Sequence, residues 1–350
     1  MSTQTTPSWT NCTDCTDVRP TEDMTTMRAA FIETLGPPDT IRYGDIPAPV
    51  PGPTDVLVEV DATTVNRVDT LVRSGVFRTP VSFPLAVGRD LVGTVAAVGP
   101  GAPGFDVGDR VWANSLGHAG RQGAAAELAV VAADRLYHLP DGADPLTAVA
   151  VAHPAATAHL GLFTHGRVRA GETVLVEGAA GNVGAALTVL AAEAGARVVA
   201  TASASDLDHC RSLGAAEAFD YRDPALLSLL RDACPDGVDV HLDTSGRNDF
   251  APAVELLAPR GRIVLLAAVR QSAALPTRRL YMKDGSVVGF VISHATSAEL
   301  AEAAVTINRL LAAGRLRPRA LERRPLSAAA EVHRRMEEGE LHGKRVVLLT

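Results

Sequence analysis

The spacing of apolar residues changes near residue 150. Before that point short apolar runs alternate with glycine and proline breakers. RAAFI follows Met27, and Val56–Val60, Leu91–Val98 and Arg110–Trp112 come after it, separated by GP, PG and GD pairs. Runs of this kind predict strands. Short strands joined by glycine turns predict a partly closed, barrel-like antiparallel domain. After residue 150 buried-type strands alternate with helical segments. Thr173–Glu177, Arg197–Ala202, Val238–Leu242 and Arg262–Ala267 predict strands, and Val287–Val291 a last one. Helices are predicted over Val183–Ala194, Asp206–Leu213 and Phe250–Leu257, the first two stopped by Gly195 and Gly214. Strand–helix alternation means βαβ units and a parallel, doubly wound sheet.

From Ser297 a helical pattern returns in SAELAEAAVTINRLLAAG, with Ser297 as the N-cap candidate and Gly314 as the stop. The chain ends in KRVVLL, a strand with no helix after it. That strand is expected to return to the first domain, which makes the cofactor domain an insertion. The predicted division is a tail over 1–26, a catalytic domain over 27–150, a cofactor domain over 151–292 and a second catalytic part over 293–350.

The stretch EGAAGNVGAALTVL, Glu177 to Leu190, sits between a predicted strand and a predicted helix. In the frame G-x-G-x-x-G it reads Ala179, Gly181 and Gly184. Gly181 lets the backbone approach a pyrophosphate, and Gly184 lets the helix pack closely on the sheet. The helix N-terminus carries free N–H groups and a partial positive charge, which suit phosphate. Ala179 stands where the first glycine belongs, and Gly178 beside it is expected to supply the missing backbone freedom. The strand after this helix ends Ala202-Ser203-Ala204-Ser205, without the carboxylate that usually binds the ribose hydroxyls of NAD. Small hydroxyl residues leave room for a 2′-phosphate, with Tyr221 and Arg222 in reach. Asp206 and Asp208 lie nearby and pull the other way. NADPH is expected, with NADH the alternative.

Composition narrows the picture. The chain has 350 residues, 47% hydrophobic and 21% charged, enough for two domains. A net charge of −7 argues against a nucleic-acid partner, since phosphate contacts need clustered Lys and Arg. Cys12, Cys15, Cys210 and Cys234 do not make a disulfide scaffold in a chain this long. Cys12 and Cys15 form a C-x-x-C without a second pair, so incidental thiols in a disordered, Thr-rich tail are expected rather than a metal site. No apolar run of about 18 residues is evident, and the first residues lack the apolar core of a signal peptide. A cytoplasmic protein without a membrane partner is expected. No Y-x-x-x-K occurs, which disfavours a short-chain dehydrogenase.

Four stretches together carry a family resemblance: VNRVDTLVRSGVF (Val65–Phe77), FPLAVGRDLVGTVAAVGPGAPGFDVGDRV (Phe83–Val111), the glycine turn, and LGAAEAFDYRD (Leu213–Asp223). From Met27 to Thr350 the chain resembles the zinc-independent quinone oxidoreductase, or zeta-crystallin-like, branch of the medium-chain dehydrogenase/reductases. The resemblance implies a GroES-like barrel domain and a Rossmann domain with the active site between them, NADPH binding and a homodimer. It implies that Asn66 and Asp69 line the cleft near the nicotinamide and that Thr157 lies beside the nicotinamide ribose. Ala180, Gly181, Asn182 and Val183 would contact the pyrophosphate, and Ser203 and Tyr221 the adenosine end. Thr244, Leu266 and Ala267 would border the cofactor, and Phe290 and Val291 its carboxamide.

The zinc alcohol dehydrogenases of this superfamily use Cys, His and Cys at positions that here read Asn66 or Arg67, Arg89 and the cysteine-free segment Ala152–Ala156. A guanidinium does not bind Zn²⁺, so a metal-free mechanism is expected. The reaction implied is hydride transfer to a quinone or an enone, with Arg89, Asn66 or Arg73 stabilising the anion formed. For Arg73 and Arg89 a structural ion pair with Asp69 or Asp90 is the competing expectation. His153, His159, Tyr281 and His294 are weaker candidates for proton donation, and Trp112 reads as barrel packing. Phe77 stands where relatives commonly keep a proton-donating tyrosine. That departure leaves two alternatives open, a biosynthetic enone or enoyl tailoring reductase and a non-catalytic, crystallin-like NADPH-binding protein.

Overall fold

Two sheets of different construction underlie the change of pattern at residue 150. The computed structural model describes residues 26–267 and 272–350. The expectations for the N-terminal tail, Cys12 and Cys15 included, lie outside the described residues.

In chain order the first part carries β1 (Thr26–Ile32), β2 (Arg42–Pro47), β3 (Asp55–Thr64), α1 (Arg67–Ser74), β4 (Leu85–Ala86), β5 (Leu91–Val98), β6 (Arg110–Ala113), β7 (Leu128–Ala132) and β8 (Tyr137–His138). Next come α2 (Pro145–His159), β9 (Thr173–Glu177), α3 (Asn182–Glu193), β10 (Arg197–Ala202), α4 (Leu207–Ser212), β11 (Glu217–Asp220), α5 (Leu226–Ala233) and β12 (Val238–Asp243). The chain continues through α6 (Phe250–Leu256), β13 (Leu257–Leu265), α7 (Thr277–Tyr281), β14 (Ser286–Gly289), α8 (Ser297–Ala312), β15 (Ala320–Pro325), α9 (Ala329–Glu338) and β16 (Lys344–Leu349).

β3 alternates buried and more exposed residues through its first six positions, as a sheet with one covered face requires. It is the hub of the seven-stranded sheet β15-β16-β3-β5-β6-β8, with β7 also paired to β3. β1, β2 and β4 form a small sheet beside it. β16 returns to this part as expected, pairing antiparallel with β3 through Val347↔Thr64 and Leu348↔Thr63.

The second unit is a six-stranded parallel sheet in the order β11-β10-β9-β12-β13-β14. The chain winds outward from β9 to β11, then restarts on the other side of β9 at β12. The switch point therefore lies between β9 and β12, at the carboxyl ends of the strands, where open α/β sheets place ligands. The fold is α/β, a GroES-like partly closed barrel with a Rossmann doubly wound sheet.

The two parts share packing. α8 buries Leu300, Ala303, Ala304, Ile307, Leu310 and Leu311 in the same core as β9, β10 and α3. The expected segment 293–350 thus divides: α8 serves the parallel-sheet core, and β15, β16 and α9 serve the barrel side. The N-cap of α8 is Thr296 rather than Ser297, because Thr296 and Glu299 close a capping box, with the Glu299 N–H donating to Thr296 Oγ1 at 3.2 Å.

α2 carries buried alanines at 148, 150, 152, 155, 156 and 158, which allow close approach of its neighbours. It continues through a π-helical turn at Leu160–His165. The 21-residue helix Pro145–His165 reaches membrane-spanning length and apolarity, contrary to the sequence expectation. Most of it (83% of its most apolar window) is buried inside the fold, as a core helix is.

Candidate active site

The glycine turn closes β9 onto α3. Gly178 takes φ +74, and Ala179 is fully buried. The left-handed residue has therefore moved one place back from the motif's first position, and an alanine fits because its own backbone is ordinary. A side chain added at Gly184 would collide with the Gly178 carbonyl oxygen, so helix and turn are in van der Waals contact. Gly181 is the N-cap of α3, and the first-turn N–H groups from Asn182 onward have no intrahelical acceptor. Thr244 fastens the turn from the neighbouring strand, its hydroxyl donating to the Glu177 carbonyl at 2.8 Å.

Those expected cofactor residues that follow the parallel strands lie along one line, whereas Asn66 lies at the start of α1 and Thr157 in α2. Register pairs Thr201 with Glu177, Glu177 with Asp243, Asp243 with Leu265, and Leu265 with Gly289. Ser203, Thr244, Leu266, Ala267, Phe290 and Val291 all follow this line. Tyr221 belongs to it as well, its N–H donating to the Ala202 carbonyl at 3.0 Å. Arg222 lies over the Tyr221 ring at 4.8 Å. Phe290 stacks on His165 with ring centroids 4.5 Å apart. Thr157, in α2, is buried and donates to the His153 carbonyl at 2.9 Å.

Beyond the end of β10, Asp206 is occupied within the protein. Ser203 donates to it at 2.7 Å and Arg319 at 2.6 Å. The Ser203 hydroxyl, and then Arg319, hold this carboxyl below its ordinary value. Arg319 also lines the cavity beside Ala180, Gly181 and Asn182, together with Arg315 and Arg317. Nothing in the sequence pattern tied residue 319 to the glycine turn, because they meet only through the return of the C-terminal segment.

Asn66, Asp69 and Arg89 form one buried network. The Asn66 N–H donates to Asp69 Oδ2 at 2.7 Å, closing the first turn of α1. Arg89 donates from Nε to Asp69 Oδ1 at 3.1 Å and from Nη1 to the Ser293 hydroxyl at 3.1 Å. The Asn66 side chain donates to Asp90 Oδ2 at 2.8 Å, and Arg345 donates to Asn66 Oδ1 at 3.0 Å and to Thr64 Oγ1 at 2.6 Å. Burial, then repulsion from Asp69, pushes the Asp90 carboxyl up to about 7. Arg89 thus takes the ion pair with Asp69 that the sequence left open. Arg73 is paired instead with Glu337 of α9 and is 1% exposed, which removes it as an anion stabiliser in this network.

Of the weaker candidates, His294 lies 6.2 Å from Phe77, ring to ring. His159 faces Phe163 and Thr306 instead. Tyr281 is exposed on α7. Trp112 is fully buried, its indole N–H donating to Asn308 of α8 at 2.9 Å. The sequence named Asp90 only as an alternative ion-pair partner, and it did not single out Ser293, His118 or Arg345. Arg345 alone left a signal, a charge inside the apolar run RVVLL of a strand otherwise fit for burial. His118 is buried, and burial followed by Arg89 and other effects lowers it to about 4. Among the described residues no three His, Cys, Asp or Glu side chains gather as metal ligands. The cationic Arg89 is a poor fit to a zinc ion at this position.

Comparison with known proteins agrees with this layout. The alcohol dehydrogenase GroES-like domain family matches residues 52–141, and the zinc-binding dehydrogenase family matches residues 182–308. The quinone oxidoreductase of Mus musculus is 31% identical over 329 residues, 92% of this chain and 98% of that protein. A mycobacterial quinone oxidoreductase structure superposes with a TM-score of 0.81 at 29% identity, over 93% of this chain and 100% of that one. A mycobacterial structure complexed with NADPH gives a TM-score of 0.80 at 30% identity, over the same shares. A βαβ glycine turn at the switch point, a barrel supplying a buried polar network across the cleft, and these likenesses over most of the chain lead to one conclusion: the chain belongs to the quinone oxidoreductase branch of the medium-chain dehydrogenase/reductase superfamily.

Proposed function

We propose that the protein is an NADPH-dependent, zinc-independent reductase of quinones or α,β-unsaturated carbonyls. The observation that carries this reading is Arg89, a buried cation fixed by Asp69 and Ser293 at a position where zinc relatives keep a metal ligand. A fixed guanidinium offers an anion what a Lewis acid would offer, without a metal. A reduced nicotinamide bound along the strand ends would supply the hydride. The chain's own work is then to grip the pyrophosphate at Ala180, Gly181, Asn182 and Val183, to orient the nicotinamide with Asn66, Thr157, Phe290 and Val291, and to hold the acceptor about 3–3.5 Å away in a water-poor cleft. Leu266 and Ala267 wall the cofactor, and Asp69 positions Arg89.

NADPH is favoured over NADH because Ser203 leaves room for a 2′-phosphate and Asp206 is already neutralised by Arg319. Arg222 on Tyr221 adds a cation at the same edge. The protein works on a small molecule in the cytoplasm as a homodimer, without nucleic-acid or membrane partners. Phe77 favours a second reading. It has no proton to give, so a tailoring reductase whose product takes its proton from water, or a non-catalytic NADPH-binding role, fits the same residues.

The test is a screen of a naphthoquinone, simple enones and enoyl thioesters with both coenzymes, with and without a chelator. NADPH oxidation by a quinone or enone, indifferent to the chelator, is expected. Loss of activity on chelation, restored by zinc, would overturn the metal-free reading. Coenzyme binding without turnover of any acceptor would leave the non-catalytic role.

A further inference from the structure

The end of α2 reaches the carboxyl edge of β14 through two aromatic rings. His165, the last residue of the π-helical turn, and Phe290, the first residue after β14, stack with ring centroids 4.5 Å apart and planes inclined by only 14°. Both are half-buried. The turn that carries His165 is firmly held. The Gly166 N–H donates to the Gly161 carbonyl at 2.9 Å, the five-residue step that defines a π-turn. Arg262 of β13 fastens its exit, donating to the Gly166 carbonyl at 2.7 Å and to the Arg167 carbonyl at 2.9 Å. Such turns are rare and gather at functional sites.

The turn sets which face of the helix His165 occupies. Thr157, Gly161 and His165 follow one another at steps of four residues. In an α-helix each such step drifts about 40° around the axis, and the wider π-turn takes the second drift back. The three residues therefore share one face. Thr157 is the residue expected beside the nicotinamide ribose. A side chain added at Gly161 would come within 3.6 Å of both the Phe290 ring and the Leu266 side chain, so the ring rests against the helix at Gly161 as well as against His165. The Phe290 main chain is tied to β13 by its N–H, which donates to the Leu265 carbonyl at 3.1 Å. Beyond it the chain leaves the sheet through Val291 for the 3-10 turn Ile292–His294. The stack is thus a side-chain anchor at the point where strand gives way to loop.

We propose that His165 is a positioning residue for the nicotinamide: its ring pins Phe290, and through it the segment at Phe290 and Val291 that would meet the carboxamide. The inference deepens the proposed function and rests on it. His165 itself touches neither coenzyme nor acceptor in this scheme. Hydride transfer requires the reacting carbon to be held in a near-attack position, and a carboxamide gripped by a segment free to move would not fix the ring plane. The contact is ring on ring, so the aromatic plane does the work rather than the imidazole nitrogens. The pyrophosphate and adenosine would lie at α3 and at the ends of β10 and β11, away from this stack, and would not depend on it.

Calorimetric titration of two ligands into the full chain separates the two ends of the coenzyme. NADPH carries the nicotinamide, and 2′-phospho-ADP-ribose is the same molecule without it. His165→Ala is expected to weaken NADPH binding about three- to tenfold, the worth of an aromatic pair. Its affinity for 2′-phospho-ADP-ribose should stay within about twofold of wild type, which also shows that the variant is folded. His165→Phe keeps a ring plane at the position and should return NADPH affinity to within about twofold of wild type. A stack that only supports the fold would weaken both ligands alike or neither, and either result would overturn the positioning role. So would a loss that His165→Phe does not restore. In each of these cases NADPH binding by wild type, and with it the proposed function, still stands. Failure of wild type to bind NADPH would instead overturn the proposed function and the positioning role together.

Discussion

Arg89 donates to the hydroxyl of Ser293 at 3.1 Å, across 204 residues of sequence and from the barrel to the segment that follows β14. This contact ties the end of the parallel sheet to the polar network of Asn66 and Asp69. Arg89 and Asp69 are 1% and 4% exposed at their side chains. Removing one partner of such a pair leaves an uncompensated buried charge. Asp69→Leu is expected to lower stability by about 3–5 kcal/mol, read by denaturant unfolding. Ser293→Ala loses a single hydrogen bond and should cost only about 1 kcal/mol. Equal effects of the two would show that the ion pair contributes nothing special.

The glycine turn makes a sharper test. Gly178 needs its left-handed backbone and lies against the Thr244 side chain. Gly178→Ala is therefore expected to destabilise by about 1–2 kcal/mol from the backbone alone, with further cost from crowding Thr244. Ala179→Gly should cost far less, because residue 179 has no positive φ. Thermal melts of both variants check this. A larger loss at residue 179 than at 178 would mean the turn is built as the motif's usual first glycine would have it.

Asp90 gives a pH dependence with a definite sign. Its folded value, about 7, lies above the ordinary carboxyl value of 3.8. Between these the folded chain binds more protons than the unfolded one, so this group's contribution to stability is full below pH 4 and is lost as pH rises to about 7. His118, lowered to about 4, acts in the opposite direction between about pH 4 and 6.5. Comparing the melting temperature of wild type and Asp90→Asn across pH 4 to 8 isolates the first effect. The variant should gain on wild type as pH rises to 7 and then run parallel to it. A constant difference across the whole range would contradict the raised value.

Coenzyme choice turns on Asp206 and Arg319. Asp206→Asn removes the carboxylate that holds the guanidinium at 2.6 Å. A released arginine at that edge favours a 2′-phosphate, and a charge-assisted contact is worth about tenfold in affinity. The ratio of NADPH to NADH affinity should therefore rise about tenfold in Asp206→Asn and fall in Arg319→Gln. Unchanged ratios in both would place the 2′-phosphate elsewhere.

Much of this was legible in the sequence because it depends on local pattern. β5, β9 and β10 begin and end where their apolar runs do. Gly178 was readable as the substitute for a missing glycine because it adjoins Ala179. The hub of the polar network was less legible. Arg89 stood out through the family resemblance, at a position where zinc relatives keep a metal ligand, but the choice between Asp69 and Asp90 depended on how α1 sits on β5. Arg345, Ser293 and Arg319 enter from segments far apart in sequence, and only the return of β16 and the winding of the parallel sheet bring them in. Arg73 shows the reverse. Its position in α1 resembled that of a cleft residue, but Glu337 of the last helix claims it.

The central claim is that backbone amides around Gly181 grip a reduced nicotinamide coenzyme. The direct measurement is a calorimetric titration of NADPH into wild type and Gly181→Asp, with circular dichroism run on both. A side chain at residue 181 meets only the Gly178 carbonyl oxygen at 3.3 Å, so the fold should tolerate it, while its carboxylate repels a pyrophosphate. Saturable binding to wild type and none to a folded Gly181→Asp is the result expected. Equal NADPH affinity in the two proteins would contradict the account.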